Sequence, residues 1–101
     1  MAKYQAWKYF EQEIVRKLKK LGLPARRNWD SQFVQKDGCD IECSPYIFQL
    51  KYGKRPNFKE AWMEARTACE EGQIPIGVIR LKEDKSTLVV MSWKDFEWFI
   101  K

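Results

Sequence analysis

Gly38-Cys39-Asp40-Ile41-Glu42-Cys43-Ser44-Pro45-Tyr46-Ile47-Phe48-Gln49-Leu50-Lys51-Tyr52-Gly53 divides into two short strands joined at Ser44-Pro45. Successive residues of a strand point to opposite faces of its sheet. Gln49 and Lys51 therefore emerge on one face of the second strand, Phe48 and Leu50 on the other. Asp40 and Glu42 likewise share a face of the first. Closed in the right register, this hairpin sets a carboxylate against an amide oxygen and an ammonium, and the two oxygens suit a divalent metal ion.

Upstream, Tyr4, Trp7, Phe10, Ile14, Val15, Leu18 and Leu21 recur at spacings of three and four, which predicts an amphipathic helix ending at Gly22 with Pro24 beyond it. Glu11 falls on the apolar stripe of that helix, one turn from Trp7, Ile14 and Val15, whereas Glu13 sits nearer its edge. An inward carboxylate is costly unless something pairs with it or binds it; otherwise it snorkels out or caps a lysine. After Pro24, a first strand is expected around Arg26 to Trp29, and a turn or ragged strand over Ser31 to Asp37 ends at the turn dipeptide Asp37-Gly38. Arg26 and Arg27, with Lys19 and Lys20 just upstream, form a basic cluster that either contacts phosphate or is a solvated face. Lys54 and Arg55, just past the hairpin, are read in the same way.

Downstream, Asn57 with Glu60 three residues on resembles a capping box opening a second helix. Phe58, Trp62, Ala65 and Cys69 lie along one face of it, it ends near Gly72, and alanines at 61, 65 and 68 would let it lie close on a sheet. Ile74 to Leu81 and Thr87 to Met91 are apolar runs separated by a charged turn, and both read as buried strands. Ser92 with Asp95 caps a last helix whose Trp93, Phe96, Phe99 and Ile100 should cover part of the sheet. The expected order is helix, three strands, helix, two strands, helix: a mixed α/β (α+β) sheet flanked by helices, in a single domain over residues 1–101.

Composition bounds the chemistry. The 101 residues are 45% hydrophobic and 15% aromatic, a globular composition. A net charge of +5 favours an anionic partner, of which nucleic acid is the commonest, or else marks a basic surface with no specific role. Three cysteines, Cys39, Cys43 and Cys69, with no histidine, fit neither a disulfide framework nor a usual zinc cluster. They read as reduced and mostly buried, so a cytoplasmic protein is expected, with no signal peptide and no membrane span. Without histidine, the available chemistry reduces to carboxylates, lysine and metal-bound water.

Helix-borne Glu11, strand-borne Asp40 and Gln49-Leu50-Lys51 on the next strand together resemble the PD-(D/E)xK nuclease superfamily. The closest likeness is to its Holliday-junction-resolvase branch, including small phage and archaeal members. The resemblance spans nearly the whole chain: the opening helix with Phe10-Glu11 and its terminal glycine, the Gly38-x-Asp40-Ile41 strand, the Gln49-x-Lys51 strand, the following helix, and Ile74-Pro75-Ile76-Gly77-Val78-Ile79. It implies a restriction-endonuclease-like core in the order α-β-β-β-α-β-β-α. Glu11 matches the helix glutamate, Asp40 the central aspartate, Gln49 the usual acidic residue and Lys51 the lysine. Cys39 stands where a proline often precedes the aspartate. Gln49 departs further, although a Gln-x-Lys version resembles one found in active branches. An amide oxygen ligates a hard cation without formal charge, so metal affinity should fall, and Glu42 and Glu64 are candidates to supply the missing charge.

The resemblance implies metal-assisted phosphodiester hydrolysis. Asp40, Gln49, the backbone carbonyl of Leu50 and Glu11 would hold Mg²⁺ or Mn²⁺, and Lys51 would orient the attacking water or stabilise the transition state. Taken by itself, Lys51 reads as a surface lysine on an edge strand, and its register with Asp40 and Gln49 is what favours the functional reading. A core of this size has little room for a separate sequence-reading domain, which favours recognition of backbone and shape. Branched or junction DNA is then the expected partner, and two symmetric nicks imply a homodimer, with Trp93 and Trp98 as candidate interface residues that core packing explains equally well. A phage-encoded member would act in the host cytoplasm. Competing readings are a catalytically silent nucleic-acid-binding module, a sequence-nonspecific nicking nuclease, and a small interaction protein with an acidic protein partner.

Overall fold

The computed structural model describes residues 3–27, 40–83 and 85–101, with side chains from residue 8 onward. Helix α1 (Lys3–Lys20) leads to a two-residue strand β1 (Arg26–Arg27), then to the hairpin strands β2 (Ile41–Cys43) and β3 (Tyr46–Gly53). Helix α2 (Phe58–Ala68), strands β4 (Ile74–Leu81) and β5 (Thr87–Val90) and helix α3 (Trp93–Ile100) complete the chain. The strands form one mixed sheet in the order β1-β2-β3-β4-β5. A parallel pair needs a long crossover, and α2 supplies it between β3 and β4; the tight Ser44-Pro45 turn makes β2 and β3 antiparallel. The expected mixed sheet with flanking helices is what forms.

Local chemistry sets the element ends. Gly22 takes a φ of 87°, open to a residue without Cβ. That conformation lets the Gly22 N–H donate to the Lys19 carbonyl at 2.9 Å and the Leu23 N–H to the Leu18 carbonyl at 3.1 Å, closing the last turn of α1. Asn57 Oδ1 accepts from the Glu60 N–H at 2.9 Å at the start of α2, and Ser92 Oγ accepts from the Asp95 N–H at 3.1 Å at the start of α3.

The two faces of the sheet are filled differently. On one, Phe10, Ile14 and Val15 of α1 pack on Ile41, Cys43, Phe48, Leu50, Ile76 and Val78. Arg80 ties this helix down further, pairing with Glu13 at 2.6 Å while its guanidinium lies 4.9 Å over the Phe10 ring. On the other face Ala65 and Ala68 of α2 pack on Ile47. The approach of α2 is closest at Gly77, where an added Cβ would stand 3.0 Å from the Ala61 Cβ and 3.1 Å from the Trp62 backbone nitrogen. Gly77→Ala would push backbone against side chain, so it should destabilise the domain by about 1–3 kcal/mol. The midpoint of urea unfolding reads that loss, and an unchanged midpoint would show that α2 has slack there.

Four expectations change. The alanines at 61, 65 and 68 are the buried residues of α2, as their size implies, but Phe58 of the expected apolar face is 40% exposed. That helix also stops at Ala68, with Cys69 already extended and Gly72 placed in the next turn at φ 87°. Strand β5 is not buried: it is the last strand of the sheet, and Val89 is 60% exposed. Helix α3 buries none of its residues, with Trp93 67% and Trp98 62% exposed, and it meets the sheet through Phe99 stacked on Tyr46. The expected continuation of the first strand to Trp29, the segment Ser31 to Asp37 and Cys39 lie outside the described residues. Cys43 is free and buried, and Cys69 is free and half-buried. Among the described residues no helix is long and apolar enough to cross a membrane.

Candidate active site

Strand β3 outruns its neighbour. β2 starts at Ile41, opposite Phe48, so the β3 backbone beyond that point has no β2 strand to pair with. Asp40 takes over that edge: its N–H donates to the Phe48 carbonyl at 3.0 Å, and its Oδ2 accepts from the Leu50 N–H at 2.8 Å. The carboxylate thus stands in for a strand carbonyl and is fixed against β3. Glu11 and Lys8 of α1, Arg27 of β1, Asp40, and Gln49, Leu50 and Lys51 of β3 line one cleft of about 360 Å³ at this place. All four residues matched to the nuclease motif, Glu11, Asp40, Gln49 and Lys51, meet there, although they come from three separate parts of the chain.

Burial dominates the electrostatics of Asp40. It pushes the carboxyl up from 3.8 to about 7, against the Leu50 N–H, which favours the anion; nearby Glu11 adds to the rise and Lys51 offsets part of it. Glu11 is inward as expected, its side chain 16% exposed, and Arg27 is what pairs with it. Nε and Nη2 of Arg27 both donate to Glu11 Oε1, at 3.0 and 2.9 Å. Glu11 Oε2 and Asp40 Oδ1 make no hydrogen bond among the described residues. Gln49, 8% exposed, has its Oε1 buried with no partner there either. A buried amide oxygen without a donor is a costly arrangement that a bound cation or water relieves. Two carboxylates and an amide lining one cleft are the kind of oxygen donors a hard divalent ion takes.

Lys51 shares the α2 face with Gln49 and sits between two carboxylates, 3.2 Å from Glu60 Oε1 and 3.1 Å from Glu64 Oε1. Burial disfavours the ammonium, but hydrogen bonds to Glu64 and Glu60 outweigh it, and the pKa is raised from the ordinary lysine value. Lys51 is therefore a permanent cation here, a donor rather than a base. In the sequence Glu60 reads only as part of a helix cap. Its spacing of four from Glu64 puts both on one side of α2, and this spacing was the signal that could have linked them to Lys51.

Other nominated residues lie apart. Arg26 pairs with Glu42 at 2.9 Å on the edge of the sheet, so Glu42 is spent outside the cleft. Glu13 serves Arg80 and Lys17, and Glu64 serves Lys51. Lys19 and Lys20 line a different groove, with Glu13, Arg16 and Lys17. Lys54 and Arg55 are exposed on the connection from β3 to α2. Among the described residues no three histidine, cysteine, aspartate or glutamate side chains converge as a metal cluster, so a cation in this cleft would lean on Gln49 as well as on acids. No family model, curated protein or solved structure matches this chain at a significant level.

Proposed function

We propose that the chain is a metal-dependent DNA endonuclease of the PD-(D/E)xK kind, with a restriction-endonuclease-like core and a preference for branched DNA such as a four-way junction. The observation that carries this reading is the buried Oε1 of Gln49, without a hydrogen-bond partner among the described residues, on a residue that lines the same cleft as Asp40 and Glu11. Asp40, Gln49, the Leu50 carbonyl and Glu11 would hold Mg²⁺ or Mn²⁺. When bound, the ion supplies a Lewis acid beside the scissile phosphate.

The remaining steps belong to the chain's own residues. Asp40, which lines the cleft, has one carboxylate oxygen fixed by the Leu50 N–H. Lys51, kept protonated by Glu60 and Glu64, donates to charge that grows on the phosphate; a third N–H of the ammonium, or an exchange with either glutamate, provides the contact. Arg27 holds Glu11 by a single oxygen and is itself within reach of an anionic substrate in the cleft. Two nicks in a junction require two such clefts, hence a twofold homodimer acting in the cytoplasm.

A second reading is supported by a specific observation: position 49 carries no charge and Arg27 neutralises Glu11, which leaves a cleft able to bind a DNA backbone without cutting it. Four-way junction, flap and plain duplex DNA incubated with Mg²⁺, with Mn²⁺ and with chelator separate the two. The endonuclease cuts one of these forms in metal alone, and Lys51→Ala slows cutting on the order of 100-fold while binding of uncut DNA persists. Binding without cutting in either metal would establish the silent module. No salt-dependent affinity for DNA would leave an interaction protein with an acidic partner.

A further inference from the structure

We propose that the outer face of α1 is the track along which a nucleic-acid backbone reaches the cleft, an inference that rests on the endonuclease reading above. Lys8, Gln12, Arg16 and Lys20 stand four residues apart and so form a single ridge along the helix. At 1.5 Å per residue the ridge is about 18 Å long. One end is Lys8, which lines the cleft beside Glu11 and Asp40. The other is the groove of about 590 Å³ at the C-terminal half of α1, where Arg16, Lys19 and Lys20 gather.

Charge pairing distinguishes this ridge from the cations nearest to it. Arg26, Arg27, Lys17 and Arg80 are each held by a carboxylate. Lys8, Arg16, Lys19 and Lys20 are exposed and make no ion pair among the described residues. Their charge is available to an incoming anion at no loss of an internal partner. Phosphates of one strand recur about every 3.4 Å along a duplex axis, so the ridge spans roughly five of them, and long flexible side chains can follow that line. The last-turn lysines also complement the C-terminal end of the helix dipole, a contribution that affects the stability of α1 and not its affinity for DNA.

Fluorescence anisotropy of a labelled short duplex, titrated over a series of potassium chloride concentrations in chelator, tests the track. For Arg16→Gln/Lys19→Gln/Lys20→Gln, the slope of log K against log salt should become shallower by about 2 to 3, at about 0.9 for each lost phosphate contact. Lys82→Gln/Lys94→Gln/Lys101→Gln removes the same charge from the β4–β5 turn, α3 and the residue that caps it, and should keep the wild-type slope. Lys19→Arg/Lys20→Arg should keep it as well, and a melting curve of each variant separates loss of fold from loss of contact. Equal slopes for the two triple variants would overturn the track while leaving the endonuclease reading in place. Wild-type protein without salt-dependent affinity would remove both.

Discussion

Asp40→Asn should abolish metal-dependent cutting and at the same time flatten the pH dependence of stability. The carboxyl titrates at about 7 in the folded chain against 3.8 when free, so folding favours its protonated form. Its contribution to stability is therefore fully present below about pH 4, declines as the pH rises, and is gone above about pH 7. A rise of this size corresponds to up to about 4 kcal/mol, on the scale of the whole stability of a small domain. Asparagine keeps an oxygen for the Leu50 N–H and carries no proton to lose. Urea midpoints of wild type and variant, measured from pH 4.5 to 8 in chelator, should thus converge at low pH and part at high pH, with the variant the more stable. The proton has a second readout, since a cation bound beside Asp40 must displace it: Mn²⁺ added near pH 6.5 should release a proton from the wild type and none from Asp40→Asn. Parallel stability profiles would show that Asp40 is ionised in the empty cleft and that burial does not govern it.

Phe10→Ala should be the most damaging single truncation of the scaffold, at about 3–5 kcal/mol. Phe10 is 2% exposed in the core between α1 and the sheet, its ring centroid 6.2 Å from that of Tyr52, with the Arg80 guanidinium across its face. Truncation removes a large buried apolar surface and leaves Arg80 without its ring, although Glu13 still pairs with it. Glu11 is the next residue, so loosening this helix also loosens the carboxylate that α1 sends into the cleft. The expected result is a loss of most of the folding free energy by urea denaturation, together with weaker Mn²⁺ binding by the fraction that remains folded. A cost below about 1 kcal/mol would mean that the Arg80–Glu13 pair, and not the ring, anchors α1.

Much of this was legible because local rules decide it. Alternation put Phe48 and Leu50 in the core and Gln49 and Lys51 on the opposite face, and Gly22, Asn57 and Ser92 marked the element ends at which they are found. What escaped depends on the order of strands and on distance in the sequence. Thr87 to Met91 is as apolar as a buried strand, and only its place at the edge of the sheet exposes it. The alanines of α2 lie against the sheet as their size implies, while Phe58, grouped by helical spacing with Trp62, Ala65 and Cys69, is exposed at the first residue of the helix. The pairs Glu11–Arg27, Lys51–Glu60 and Arg80–Glu13 join residues brought together by the fold, and composition gives no register for them.

The parallel register of β3 and β4 sets Gln49 directly beside Gly77. Neighbouring positions of one strand pair are thereby subject to opposite constraints: residue 77 is limited in size by α2, while residue 49 has no side chain next to it on the β4 side. Glutamate is nearly the same size as glutamine, so one substitution could add a charge at position 49 without any repacking of the helix above it. The charge of the cleft and the packing of its support are thus set by different residues of one strand pair.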